Sequence, residues 1–191
     1  MPSVSREWDD TDTEQVKYTL DKYAGDGSKV FVTGSSSGGM ATNALVSAYP
    51  DVFAAGASFS GAPAFACWNG AGLGTSNIDP GCQTNKKPSA QQWGDLVRSA
   101  FPTFNGTRPS MQIWHGTTDN VVTYGYLADQ LAQWSNVLGI PFARNVSNDP
   151  LNGYTKIVYG DGTRVVGYSA QGVGHIVPFR EKEVLQFFGL L

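Results

Sequence analysis

Charge is scarce in this chain: Asp, Glu, Lys and Arg make up 15% of its 191 residues, and the formal net charge is −3. So few cations, in a slightly acidic balance, give no electrostatic reason to expect a nucleic-acid partner. Long apolar runs are missing too. No stretch approaches the roughly 20 residues that span a bilayer, so no membrane segment is expected. The opening "MPSVSREWDDTDTEQ" has no apolar core of a secretory signal. Cysteine is limited to Cys67 and Cys82. Neither a C-x-x-C nor a Cys/His ligand spacing occurs, so no metal site is expected. In an oxidising compartment the two would staple a Gly-, Asn- and Pro-rich loop; the competing reading is a pair of free buried thiols. Histidine is equally rare, with two copies.

What is present supports a single domain. Hydrophobic residues reach 41%, enough for a core at this length. The chain is also rich in Gly, with 23 copies, and Pro, with 10, and it carries two glycosylation acceptor triplets, Asn105-Gly106-Thr107 and Asn145-Val146-Ser147. That composition leans extracellular. Residues 1–12 read as a tail, and 13–191 as one domain without repeats.

Helices and strands alternate along it. Thr11-x-x-Glu14 resembles a capping box ahead of Val16, Leu20 and Tyr23 at helical spacing, with Gly25 and Gly27 ending the helix. Lys29 to Thr33 reads as a buried strand, and Met40, Ala44, Leu45 and Ala48 as a helix stopped by Pro50. "FAAGASFSG" is a small-residue strand, and residues 62–88 form a long irregular stretch. Ser89-x-x-Gln92 opens a helix with Trp93, Leu96 and Val97 on one side. Met111 to Trp114 reads as the next strand, and Leu127, Leu131, Trp134 and Leu138 line a helix closed by Gly139. "YTKIVYGDGTRVVGYSA" reads as a hairpin turning at Asp161-Gly162, and Glu181 to Phe188 as a terminal helix. The expected fold class is α/β, a sandwich around a mainly parallel sheet.

"VFVTGSSSGG" (residues 30–39) is the stretch with chemistry in it. A dinucleotide loop of the form T-G-x-x-x-G-x-G would match Thr33, Gly34 and Gly38, but Met40 occupies the third glycine position. The Tyr-x-x-x-Lys pair of such dehydrogenases is found only upstream, at Tyr18 and Lys22, and no Walker lysine follows the glycines. The other use of such a turn is the nucleophile elbow, G-x-S-x-G, which centres on Ser36 between Gly34 and Gly38. A serine hydroxyl needs a base to take its proton. His175 sits in the loop "AQGVGHIVP", and Asp119 follows the Met111 strand in "IWHGTTDN". The order Ser36, Asp119, His175 is that of α/β hydrolases. The Ser37 N–H is then the expected oxyanion donor, while Ser35 and Ser37 hydroxyls are not nucleophile candidates. His115 reads as a residue that shapes the acid loop. Asp79, Asp95 and Asp129 do not follow a buried strand and are poorer acids. No cofactor is required by such chemistry.

Three segments, "KVFVTGSSSGGMATNALVSAYPDVFAAGASFSGAP", "QQWGDLVRSAFPTFNGTRPSMQIWHGTTDNVV" and "GYSAQGVGHIVPFREKEVLQFFGL", resemble secreted fungal acetyl xylan esterases of the first carbohydrate esterase family. That family also holds feruloyl esterases and is similar to polyhydroxybutyrate depolymerases. The resemblance implies an α/β-hydrolase-type three-layer sandwich and a serine esterase that removes acetyl groups from plant-wall xylan. Ser36, Asp119 and His175 match its nucleophile, acid and base. It also implies secretion, and it leaves oligomeric state open. Feruloyl or polyester hydrolysis and a catalytically impaired fragment are the alternatives. Family members extend further at the N-terminus, where an early loop gives the second oxyanion donor. The expectation is therefore an N-terminally truncated sheet, and loss of one such donor costs on the order of 100- to 1000-fold in rate. Trp68, Trp93 and Trp114 offer sugar-stacking faces, set against core packing for the last two.

Overall fold

The computed structural model describes residues 11–66 and 88–191. Cys67, Cys82, Trp68 and Asp79, and most of the expected N-terminal tail, lie outside them. In chain order the elements are α1 (Thr11–Tyr23), β1 (Phe31–Ser35), α2 (Ser37–Ala48), β2 (Ala55–Phe59) and α3 (Ala90–Ala100). They continue with β3 (Ser110–Gly116), α4 (Gly125–Leu138), β4 (Phe142–Ser147), β5 (Tyr154–Tyr159), β6 (Val165–Ala170) and α5 (Glu181–Phe187). The six strands form one sheet in the order β1-β2-β3-β6-β5-β4. β1, β2, β3 and β6 run parallel, while β5 and β4 add an antiparallel flank.

Alternation along β3 shows how the layers are built. Met111 and Ile113 join Val46, Val97, Leu131 and Trp134 in one apolar cluster, on the side covered by α2, α3 and α4. Trp114 points to the opposite face and joins Phe59, Tyr168, Val177 and Val184 beside α5. The sheet is thus buried on both faces at β3, as a central parallel strand requires. Trp114 is fully buried, with its ring stacked 3.7 Å from that of Tyr168. Trp93 is also buried. Both are core residues and present no face to a sugar.

Local chemistry sets the element ends. Ser89 caps α3 reciprocally with Gln92. Gly139 closes α4 in the left-handed conformation at φ 66°. In the hairpin between β5 and β6, the Asp161 carboxylate accepts a bond from the Thr163 N–H at 2.9 Å. Four points differ from the sequence reading. Among the described residues β1 is an edge strand, half-buried or exposed, where a buried strand was expected. β4 was not foreseen, because five of its six residues are exposed and show no apolar alternation. His115 belongs to β3 itself, and Tyr23 of α1 is exposed.

Candidate active site

Ser36 follows β1 at φ 57°, a left-handed conformation unusual for a residue with a side chain. Holding it there costs roughly 1–3 kcal/mol, offset by the surrounding structure. The Ser36 N–H donates to the Phe59 carbonyl at 2.9 Å, and the Ser36 carbonyl accepts from the Met40 N–H at 3.1 Å. Gly34 is obligatory, since a Cβ there would collide with the Gly38 carbonyl group. Gly38 faces no such demand: a Cβ on it would meet nothing within 4 Å. α2 begins at Ser37, whose N–H belongs to the first turn, where no intrahelical acceptor exists. The Ser36 side chain does not cap that helix and points elsewhere.

It points to His175. The Ser36 Oγ lies 2.8 Å from His175 Nε2, and His175 Nδ1 lies 2.9 Å from Asp119 Oδ2. His175 is carried on the loop between β6 and α5, Asp119 on the turn after β3. The two loops are tied together. The Thr118 N–H donates to the Val173 carbonyl at 3.0 Å, and the Gly172 N–H donates to Thr117 Oγ1 at 2.8 Å. Gly116 lets them approach: a Cβ there would collide with the carbonyls of Val173 and Gly174.

The Asp119 side chain is closed to solvent. Burial pushes its carboxyl upward, but the bonds from His175 and from the Val121 and Val122 N–H groups outweigh that. With the nearby His115 ring, they hold the group below the ordinary carboxylate range. Those two N–H groups reach Oδ1 at 2.9 and 3.0 Å. On Oδ2, opposite His175, His115 Nε2 approaches at 3.1 Å.

A buried polar network braces the turn from behind. Asn43 Nδ2 donates to the Gly39 carbonyl at 2.9 Å and to Gln130 Oε1 at 2.8 Å. Gln130 Nε2 donates to the Gly61 carbonyl at 3.0 Å, and Trp134 Nε1 to Asn43 Oδ1 at 2.7 Å. These bonds join the start of α2, the residues after β2, and α4. Of the alternative acids, Asp95 pairs with Arg98 on α3, and Asp129 lies on α4. The contact of His115 with Asp119 was not foreseen; its signal was the four-residue spacing in H-G-T-T-D.

A mainly parallel sheet between helices, with a serine on the sharp turn after one strand and a histidine and aspartate on the loops after two others, is the arrangement of the α/β-hydrolase fold. Within that class, a model of the prolyl oligopeptidase family, Peptidase_S9, matches residues 5–139, and the chain belongs to that family. It is 49% identical to feruloyl esterase B of Talaromyces stipitatus, over 92% of this chain and 49% of that one. It is 43% identical to an acetylxylan esterase of Coprinopsis cinerea, over 98% of this chain and 51% of that one. Among solved structures, the acetyl xylan esterase from Aspergillus awamori superposes with a TM-score of 0.87 at 30% identity, over 95% of this chain and 67% of that one. The chain spans about half the length of these two curated relatives.

Proposed function

We propose that this chain is a serine carboxylic-ester hydrolase acting on the acyl esters of plant-wall xylan. The observation that carries the reading is the continuous hydrogen-bonded path from Ser36 Oγ through the His175 ring to Asp119 Oδ2. His175 Nε2 takes the Ser36 proton as Oγ attacks the acyl carbonyl, and Asp119 stabilises the imidazolium that forms. The Ser37 N–H, at the positive end of α2, faces the developing oxyanion. His175 then returns the proton to the departing sugar oxygen, leaving an acyl-Ser36 ester. Water, activated by the same ring, hydrolyses that ester and restores the hydroxyl. This sequence needs no metal or organic cofactor.

Acetate is the acyl group favoured by the close superposition on the Aspergillus awamori acetyl xylan esterase. Ferulate is the second reading, favoured by the 47–49% identity to several proteins named feruloyl esterase B. An extracellular setting accords with either substrate and with acceptor asparagines Asn105 and Asn145, both exposed. Release of acetate from acetylated xylan and of ferulate from feruloylated arabinoxylan, measured side by side on the 191-residue chain, separates the two. Ser36→Ala is expected to lower kcat by about 10⁵- to 10⁶-fold without lowering Tm. Retained turnover in that variant would remove Ser36 from its role.

A further inference from the structure

We propose that His115 is a positioning residue for this hydrolysis: a buried imidazole whose Nε2–H shares one bond between the Val122 carbonyl and Asp119 Oδ2, orienting and moderating the carboxylate that serves His175. The inference rests on the esterase reading above. Its starting point is a buried ring that the mechanism leaves unused. His115 is fully buried, and its Nε2 lies 2.9 Å from the Val122 carbonyl oxygen. A carbonyl only accepts, so the hydrogen must sit on Nε2. The same nitrogen lies 3.1 Å from Asp119 Oδ2, the atom that also bonds His175. The other nitrogen, Nδ1, is buried with no hydrogen-bond partner among the described residues. Protonating it would bury an unpaired donor and a charge together, so desolvation keeps the ring neutral and its affinity for a proton below the ordinary histidine range.

The groups facing this ring define its effect. Asp119 meets it from the turn after β3, and His175 from the loop after β6. Tyr124, just before α4, packs edge-on with its ring centre 6.2 Å away, its hydroxyl bonded to Ser169. A neutral donor on Oδ2 withdraws part of the negative charge that would otherwise hold a proton on His175. It therefore favours the free-base form that Ser36 needs, and it fixes which carboxylate oxygen faces the base. A merely space-filling ring would do neither.

Two variants separate these roles. His115→Phe keeps a ring and removes the donor; His115→Gln keeps an N–H at a similar reach and cannot titrate. With p-nitrophenyl acetate, His115→Phe is expected to lower kcat about tenfold with KM unchanged. Its acid limb of kcat/KM is expected to move about half a pH unit upward, with His115→Gln restoring the original limb. The downfield proton resonance of the His175 Nδ1–H bond reads the same contact without turnover, and is expected to move in His115→Phe and stay in His115→Gln. An unmoved limb and resonance in His115→Phe, or equal displacement in both variants, would overturn the proposal. A chain inert toward esters strikes the esterase reading, while the resonance still decides the role of His115. If His115→Phe does not fold, nitrogen-15 spectra of the unmodified chain, which holds two histidines, serve in its place. A neutral Nε2–H ring at pH 7, together with an unmoved resonance in His115→Gln, supports the assignment; an imidazolium or an Nδ1–H ring at that pH refutes it.

Discussion

β1 and β3 each deliver part of the candidate site, yet they are held by different means. β3 lies between β2 and β6, and all but its first residue are buried. β1 lies at the edge of the sheet, with four residues half-buried and Thr33 exposed. The acid side is positioned by burial: His115 and the Asp119 side chain are sealed, and loop-to-loop bonds fix the turn. The serine side depends on local chemistry. Gly34 permits the turn, the Ser36 N–H clasps the Phe59 carbonyl, and the Asn43 and Gln130 network anchors the start of α2. One half of the site is thus set by packing and the other by hydrogen bonds around a strained residue.

The largest expected effect comes where the two halves meet. Gly116→Ala places a Cβ against the Val173 and Gly174 carbonyls, which are backbone and cannot swing aside. The loop carrying His175 must lift away from Ser36. A displacement of about 1 Å costs on the order of 100-fold in turnover, so a loss of at least that size is expected in a chain that still folds cooperatively. Wild-type turnover in Gly116→Ala would show that the acid side is not rigid after all.

Next in size is a matched pair of core truncations. Val165 of β6 and Val32 of β1 both pack against the cluster that holds Ile113 and Leu131, but Val165 is fully buried and Val32 only partly so. Val165→Ala is expected to destabilise by about 2–3 kcal/mol, combining lost transfer energy and an unfilled cavity. Val32→Ala should cost about 1 kcal/mol, because less area is lost and solvent reaches the site. Urea denaturation checks both. Equal costs would abolish the contrast between edge and centre.

The same contrast explains what could be read from the sequence. Elements specified by neighbours along the chain were legible: the Ser89 and Gln92 box, Gly139 beyond α4, and the hairpin turn at Asp161 all rest on local rules. That Ser36, Asp119 and His175 lie together followed from residue type and order, because so few histidines are present. What depends on distant packing was not. β4 has no buried face to imprint an alternating pattern, and β1 carries a core-like sequence on a sheet edge. Gly38 looked as constrained as Gly34 but faces open space, whereas Gly116 is opposed by backbone carbonyls 57 and 58 residues away in sequence. The contact of His115 with the acid had only its four-residue spacing as a signal: which nitrogen reaches which oxygen is a property of the folded turn.

The smallest effect sharpens the comparison through pH. The folded state holds His115 neutral, with its proton affinity depressed by burial, whereas the unfolded chain protonates it near pH 6.5. The unfolded state therefore binds more protons below that pH, so the stability contributed by the neutral ring is present above about 6.5 and declines as pH falls. Between pH 7 and 6 the decline from this one group is expected to stay under about 1 kcal/mol. His115→Gln, which cannot titrate, should flatten the stability curve over that interval. The depressed Asp119 carboxyl acts later and in the same direction: its contribution is present above the ordinary carboxylate range, near pH 4, and is lost as pH falls through its lowered folded-state value. Urea midpoints at successive pH values should thus show two steps, with His115→Gln removing only the upper one. An unchanged upper step in that variant would place the proton uptake elsewhere and detach this pH response from the buried half of the site.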